Sequence, residues 1–188
     1  MKIEPTNLPE VLLIEPDRFG DARGHFLETW HEKRYAAAGI DLPFVQDNLS
    51  RSAHGILRGL HLQHPTDQGK LVYVVEGEVF DVAVDVRVGS PNFGKWTGAT
   101  LSSKDYRQLW IPPGFAHGFC VTSEMAVFTY KCTAPYSMAD ELGVAWNDPA
   151  LGIPWPLTAP QLSAKDKLLP RLADIDPARL PRYQGLSR

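Results

Sequence analysis

The chain has 188 residues, with 19 Lys and Arg against 22 Asp and Glu and a formal net charge of -3. That length fits a single domain over residues 1–188, and the slight acidity gives no long-range attraction to nucleic acid or to an anionic membrane surface. No apolar run approaches the roughly 20 residues needed to span a bilayer, so any anionic ligand must be held by local cations in a protein of the aqueous phase.

In chain order, the start Met1-Lys2-Ile3-Glu4-Pro5 lacks the charged-then-apolar layout of a signal peptide. Residues 11–14 and 25–30 read as short strands, and residues 31–38 as a short helix stopped by Gly39. Strand signals then follow closely at 44–50, 56–63, 70–76, 79–88, 96–101, 108–111, 117–121 and 126–132. Gly or Pro punctuates most of the gaps, as at Glu76-Gly77-Glu78 and Pro112-Pro113-Gly114. Within 79–88, Phe80, Val82, Val84 and Val86 share one face, while Asp81, Asp85 and Arg87 share the other. That is the period of two of a half-buried antiparallel strand. Many short strands without long alternating helices predict an all-β sandwich or barrel of jelly-roll type. Cys120 and Cys132 lie inside such strands, and two cysteines in a chain this long predict reduced thiols and a cytoplasmic protein. Beyond residue 145, the prolines of Trp146-Asn147-Asp148-Pro149 and Gly152-Ile153-Pro154-Trp155-Pro156 exclude central strands, because proline removes ladder donors. Ser163-Ala164-Lys165-Asp166 opens a short helical turn. This tail, about 146–188, is too short for its own core and is expected to pack back over the barrel.

The densest chemistry lies in Arg58-Gly59-Leu60-His61-Leu62-Gln63 and Gln68-Gly69-Lys70-Leu71-Val72. Burying an imidazole, an ammonium and a guanidinium on strands costs several kcal/mol unless they find partners. A neutral imidazole is the natural general base near neutral pH, and a lysine beside it can stabilise an enolate oxygen. Such a base needs an orienting carboxylate, for which Asp166 is a candidate if the tail folds back. Stereochemical inversion needs an acid on the opposite side, and Tyr130, on the face of Phe128 and Cys132, is a candidate. Together these groups describe deprotonation next to a carbonyl followed by reprotonation. Plainer readings stand beside them: His61 as a core histidine, Tyr130 as an ordinary strand residue, Arg23 and Arg58 as surface charges. Asp166, three residues after Ser163, also fits a capping box. Arg58 and His61 are three apart, so a regular strand sends them to opposite faces. Either a bulge at Gly59 re-aims one of them, or Arg58 reaches only a rim.

Pro112-Pro113-Gly114-Phe115-Ala116-His117 resembles the second, PxGxxH motif of cupin barrels. Metal-binding cupins carry a His-x-His pair in the first motif, where this chain has His61-Leu62-Gln63. His64 points to the other face of a regular strand, and an amide oxygen is a poor ligand for zinc or iron. A cupin-like barrel without a metal is therefore expected.

The blocks RGLHLQ, QGKLV, FDVAVD, GSPNFG, LWIPPGFAHGF, TYKCT, WNDPALGIPWP and LSAKD resemble, in order, those of the dTDP-4-dehydrorhamnose 3,5-epimerase family. So do Asp21-Ala22-Arg23-Gly24-His25-Phe26-Leu27-Glu28 and Gln46-Asp47-Asn48, and the likeness runs from about residue 10 to 170. The resemblance implies a cupin-type double-stranded β-helix (jelly-roll barrel) with short peripheral helices. It implies inversion of carbons 3 and 5 of dTDP-4-dehydro-6-deoxy-D-glucose, without cofactor or metal, because the substrate's own ketone acidifies both protons. It also implies a homodimer whose N-terminal strands can contribute to the neighbour's site. By the matching motifs, His61 is the base, Asp166 its partner, Lys70 the group that steadies the enolate and Tyr130 the acid. Arg23, Glu28, Gln46, Asn48 and Arg58 match positions that bind the nucleotide or its phosphates. Phe19, Phe26, Tyr136 and Glu141 match further substrate positions, and His117 matches a pocket histidine. Two departures stand out: Tyr73 at an often basic position, and Ala134-Pro135 where an Asp-aromatic pair precedes Tyr136. A single-centre epimerase of a related keto sugar and a non-catalytic sugar-nucleotide binder remain as alternative functions.

Overall fold

A computed structural model describes residues 1–185, so the last three positions of the tail lie outside the described residues. Its strands, in chain order, are β1 (Lys2–Pro5), β2 (Leu12–Glu15), β3 (Arg18–Asp21), β4 (Gly24–Leu27), β5 (Gln46–Ala53), β6 (Leu57–Gln63) and β7 (Lys70–Glu76). They continue with β8 (Glu78–Asp85), β9 (Trp96–Ser102), β10 (Gln108–Ile111), β11 (Phe115–Val121), β12 (Met125–Cys132) and β13 (Glu141–Gly143). One α-helix, α1 (Glu32–Ala36), follows β4, and Gly39 (φ +86°) supplies the left-handed residue beyond its end. The paired strands form a six-stranded sheet in the order β1-β2-β10-β7-β12-β5, a five-stranded sheet in the order β13-β6-β11-β8-β9, and a separate β3-β4 hairpin. Every pair within these sheets is antiparallel. This is the all-β jelly-roll architecture that the strand spacing predicts.

The two large sheets face each other. Val72, Val74, Leu109, Ile111 and Phe128 of the six-stranded sheet pack on Val79, Ala83, Leu101, Phe115 and Phe119 of the five-stranded one. Outside the six-stranded sheet, the α1 region covers Ile14, Leu71 and Trp110 with Tyr35 and Ile40. The Tyr35 hydroxyl donates to Gln108 Oε1 at 2.7 Å. Outside the five-stranded sheet, the tail supplies Leu151, Leu172, Ile175 and Leu180, which pack on Leu60, Leu62, Val82, Val84 and Val86. Backbone bonds tie the tail down: Leu57 N–H to Gln161 O (3.0 Å), Gln161 N–H to Gly55 O (2.8 Å) and Ala145 N–H to Pro170 O (2.7 Å).

This layering corrects the reading of β8 as a half-buried strand. Its apolar face is the outer one and lies beneath the tail, while Asp81 and Asp85 point between the sheets and are fully buried. Both carboxylates are partnered. Asp85 accepts from Arg87, whose guanidinium also pairs with Glu10 at 2.6 Å and lies 4.4 Å from the Phe115 ring centre. Asp81 meets His117. The inner face of β8 is thus polar where it borders the site.

Candidate active site

The placement of Arg58 and His61 turns on the pairing of β6 with β11. His117 lies opposite His61 and Phe119 opposite Arg58, so residues 117–119 of one strand face residues 58–61 of the other. The extra residue is a bulge on β6, where Gly59 adopts φ +118°. A Cβ at Gly59 would sit 2.6 Å from Gly118 Cα and 2.7 Å from His117 O, so only glycine lets the strands approach here. Arg58 and His61 consequently border one cavity of about 420 Å³, which settles the conflict with simple alternation in favour of the bulge. Arg58 is steadied by Ser52, whose hydroxyl accepts from Nε at 3.2 Å and from Nη2 at 3.1 Å.

His61 Nε2 lies 2.6 Å from Asp166 Oδ1. Asp166 begins a 3₁₀ turn, Asp166–Leu168, that the tail lays against β6. Its backbone N–H donates to Ser163 Oγ at 3.0 Å, so the capping contact and the contact with His61 coexist in one residue. Burial pushes the Asp166 carboxyl up, but bonding and charge from His61, with Ser163 and the Gly59 N–H, outweigh this and hold it below the usual carboxylate range. An ionised Asp166 fixes the tautomer with hydrogen on Nε2, leaving Nδ1 as the basic nitrogen. The His61 side chain is 34% exposed, and the residue lines the cavity.

Lys70, at the start of β7, is only 7% exposed and lines the same cavity. Among the described residues no carboxylate pairs with it; burial pulls its pKa down, opposed only by Cys132 across the β7–β12 ladder. A buried ammonium without an anion is costly and leaves its charge available to a ligand. Tyr130 lines the cavity from β12, and burial pushes its phenol up, so it carries its proton at neutral pH. His117 lines it from β11, with Nε2 at 2.9 and 3.1 Å from the two carboxylate oxygens of Asp81.

The mouth is built from the expected nucleotide positions. Gln46 Nε2 donates to Asn48 Oδ1 at 3.0 Å, and Gln46 Oε1 accepts the Tyr136 N–H at 2.8 Å. The Tyr136 hydroxyl donates to Glu141 Oε2 at 2.7 Å, and Lys165 pairs with that same oxygen. The Ala134-Pro135 departure is accommodated by two amides: Gln68 Nε2 donates to Ala134 O at 2.7 Å and Gln63 Nε2 to Pro135 O at 3.1 Å. Gln63 Oε1 accepts the Ser137 N–H at 2.8 Å, so this side chain holds the loop that carries Tyr136. Among the described residues no group of three or more His, Cys, Asp or Glu is placed to bind a metal ion.

Four expected substrate residues are not brought to this cavity by their own chain. Phe19, Arg23, Phe26 and Glu28 lie on or just beyond the β3-β4 hairpin, and none lines the cavity. Phe19 and Phe26 are cross-strand neighbours, 65% and 70% exposed. The Arg23 side chain is 89% exposed and pairs with Asp21, while Glu28 pairs with Arg34 at 3.0 Å. Other groups border the cavity without having been singled out in the sequence, Ser50, Gln68 and Lys165, and Ser163 was singled out only as a capping residue. Ser50 was legible, since it follows Gln46 and Asn48 at a period of two; its buried hydroxyl has no partner among the described residues. Asp81 was legible as a carboxylate on β8, but not as an inward-facing one. Nothing local marks Lys165.

The family model described as dTDP-4-dehydrorhamnose 3,5-epimerase matches residues 5–174. The chain is 57% identical over 167 residues to the dTDP-4-dehydrorhamnose 3,5-epimerase of Neisseria gonorrhoeae; the match takes in 88% of this chain and 51% of that protein, so the chain spans about half that relative's length. It is 53% identical over 178 residues to the protein of the same name from Pseudomonas aeruginosa, covering 94% of this chain and 98% of that one. A crystal structure of dTDP-6-deoxy-D-glucose-3,5-epimerase from Legionella pneumophila, in complex with dTDP-4-keto-L-rhamnose, matches with a TM-score of 0.96 at 53% identity, covering 98% of this chain and 99% of that one.

Proposed function

This chain belongs to the dTDP-4-dehydrorhamnose 3,5-epimerase family, and from that premise we propose that it converts dTDP-4-dehydro-6-deoxy-D-glucose to dTDP-4-dehydro-L-rhamnose by inverting carbons 3 and 5. The observation that carries the reading is one cavity holding a carboxylate-oriented imidazole, an ammonium without a carboxylate partner and a protonated phenol. His61 Nδ1 takes the proton from a carbon beside the ketone, and the electron pair of that C–H bond moves into the carbonyl to form an enolate. Lys70 balances the charge that develops on the enolate oxygen, an interaction strengthened by its dry surroundings. Tyr130 returns a proton to the opposite face and is itself recharged from solvent, while His61 releases its proton. The same ketone then acidifies the second carbon, so no cofactor enters the scheme.

Arg58 is assigned to the diphosphate, and Gln46, Asn48, Tyr136 and Glu141 to the nucleoside end, with His117 in contact with the sugar. Phe19, Arg23, Phe26 and Glu28 are assigned to the site of a second subunit in a homodimer. The exposed Phe19–Phe26 pair on a projecting hairpin supports that assignment. We read residues 1–188 as one epimerase unit acting in the cytoplasm, in keeping with the free, buried Cys120 and Cys132.

Incubation with the keto-sugar nucleotide in heavy water, followed by mass analysis of the product, tests the reaction. Deuterium at both carbons supports the double inversion. Deuterium at one carbon points to a single-centre epimerase, and at neither to a binding protein.

A further inference from the structure

The cavity holds two His–Asp pairs of similar length, and we infer that they carry opposite proton states: Asp81 holds His117 so that its Nδ1 always bears a hydrogen, which is donated to an oxygen of the bound keto sugar. The inference rests on the reading of the cavity as a keto-sugar nucleotide site, and it deepens that reading.

The two carboxylates differ in their surroundings. Asp166 has several sources of support, from His61, Ser163 and the Gly59 N–H. It can remain ionised while His61 is neutral, which suits a base. Asp81 is fully buried, and among the described residues His117 is the only group that offsets its charge. Three arrangements exist for that pair. In the first, an aspartate faces an imidazolium, with hydrogens on both ring nitrogens. In the second, the shared proton sits on the carboxyl, and the neutral ring keeps its hydrogen on Nδ1. In the third, an aspartate faces a neutral ring with hydrogen on Nε2 and a bare Nδ1. The third buries a net negative charge without a counter-ion, the costly case for a desolvated carboxylate. The first two are neutral as pairs and share one feature, a hydrogen on Nδ1.

Geometry directs that hydrogen. Nε2 is committed to Asp81, and among the described residues Nδ1 has no protein partner and is not a buried unsatisfied atom, so it opens onto the cavity that His117 lines. The Phe128 ring lies parallel to the imidazole, 6.1 Å away at 16°, and Phe119 packs beside both, which fixes the ring plane. Because His117 sits directly across the ladder from His61, the donor stands next to the base. In these terms His117 touches the substrate, and Asp81 is a positioning residue acting through it.

Nitrogen-15 spectra of the free protein, labelled at histidine and recorded near neutral pH, read the two tautomers without any substrate. The His117 resonances are identified by their loss in His117→Gln. A protonated Nδ1 at His117 and an unprotonated Nδ1 at His61 are expected; a bare Nδ1 at His117 overturns the inference, whatever reaction the protein proves to catalyse. Asp81→Asn is close in shape but removes the anion; its amide either accepts from Nε2–H, leaving Nδ1 bare, or turns so that its NH2 donates to Nε2, keeping the hydrogen on Nδ1, and the variant's own nitrogen-15 spectrum reads which holds. With Nδ1 bare the variant should lose about 10- to 100-fold in kcat/KM for the keto sugar, the scale of one hydrogen bond to a developing charge, while its affinity for dTDP changes less than about twofold; with Nδ1 protonated it should keep most of its kcat/KM. An unchanged kcat/KM with Nδ1 bare, a loss of about 10-fold with Nδ1 still protonated, or a loss of dTDP affinity equal to the loss in kcat/KM refutes the donor role. If Asp81→Asn does not fold, the wild-type spectrum alone decides.

Discussion

Replacing Gly59 with alanine probes the bulge that brings Arg58 and His61 to one cavity. At φ +118° a residue with a Cβ is strained, by about 1–3 kcal/mol. The added atom would also lie 2.6 Å from Gly118 Cα and 2.7 Å from His117 O, both backbone atoms that cannot swing aside. Overpacking of that kind costs about 1–3 kcal/mol more, giving roughly 2–6 kcal/mol in all. For a chain of this length each kcal/mol lowers the melting temperature by about 2–4 °C, so a fall of roughly 4–24 °C is expected. Gly89→Ala is the control, with φ +87° but nothing within 4 Å of the new Cβ. It should show the conformational cost alone, about 1–2 kcal/mol and roughly 2–8 °C. Thermal unfolding followed by circular dichroism compares the two, and turnover is measured on both well below their transitions. Gly59→Ala should also lose most of its activity through displaced Arg58 and His61, while Gly89→Ala keeps its own. Equal melting temperatures for the two variants, or full turnover in Gly59→Ala, would refute the role given to the bulge.

Lys70→Met should abolish turnover yet raise the melting temperature. The buried ammonium has a lowered pKa, so its penalty on folding is present below the folded pKa and vanishes above the unfolded one; methionine removes it at neutral pH. A gain of about 1–4 kcal/mol corresponds to roughly 2–16 °C, and a lower melting temperature would show that Lys70 has a stabilising partner. Arg58→Ala should weaken dTDP binding by about 10- to 100-fold in titration calorimetry, the value of one well-formed charge-assisted contact, and unchanged affinity would remove Arg58 from the phosphate site. Exhaustive chelation should leave turnover intact; activity lost and restored by one particular cation would contradict the cofactor-free scheme.

Strand positions were largely legible, because Gly and Pro punctuation and β-branched runs mark β5 through β12. The shortest elements were not. β1, β3 and β13 have three or four residues each, too few to display a period, and they lack the apolar run that marks the equally short β2 and β10. The half-buried reading of β8 failed for a different reason. Period two separates the faces of a strand but does not say which one is inside, and here Leu151, Leu172, Ile175 and Leu180 of the tail cover the more apolar face. The functional reading of His61, Lys70, Tyr130 and Asp166 depended on long-range closure: Asp166 is 105 residues from His61 and meets it only through the pairing of the tail with Gly55 and Leu57. Residue type suggested the chemistry, and the ordered blocks identified the partner. The position of Arg58 was undecidable from spacing, since a one-residue bulge reverses every inference from alternation. The hairpin residues Phe19, Arg23, Phe26 and Glu28 came from the family resemblance alone, and a single chain does not carry them to the cavity.

The central claim is that His61 removes the proton on one face and Tyr130 returns it on the other, and paired variants in heavy water test it most directly. His61→Asn should give neither product nor deuterium exchange while still binding dTDP, since loss of a positioned base costs about 10²–10⁴ in rate. Tyr130→Phe keeps the ring and leaves His61 able to remove and restore a proton on the same face. It should wash deuterium into the substrate with little inverted product. Inversion by Tyr130→Phe at the wild-type rate, or exchange by His61→Asn at the wild-type rate, would contradict the account.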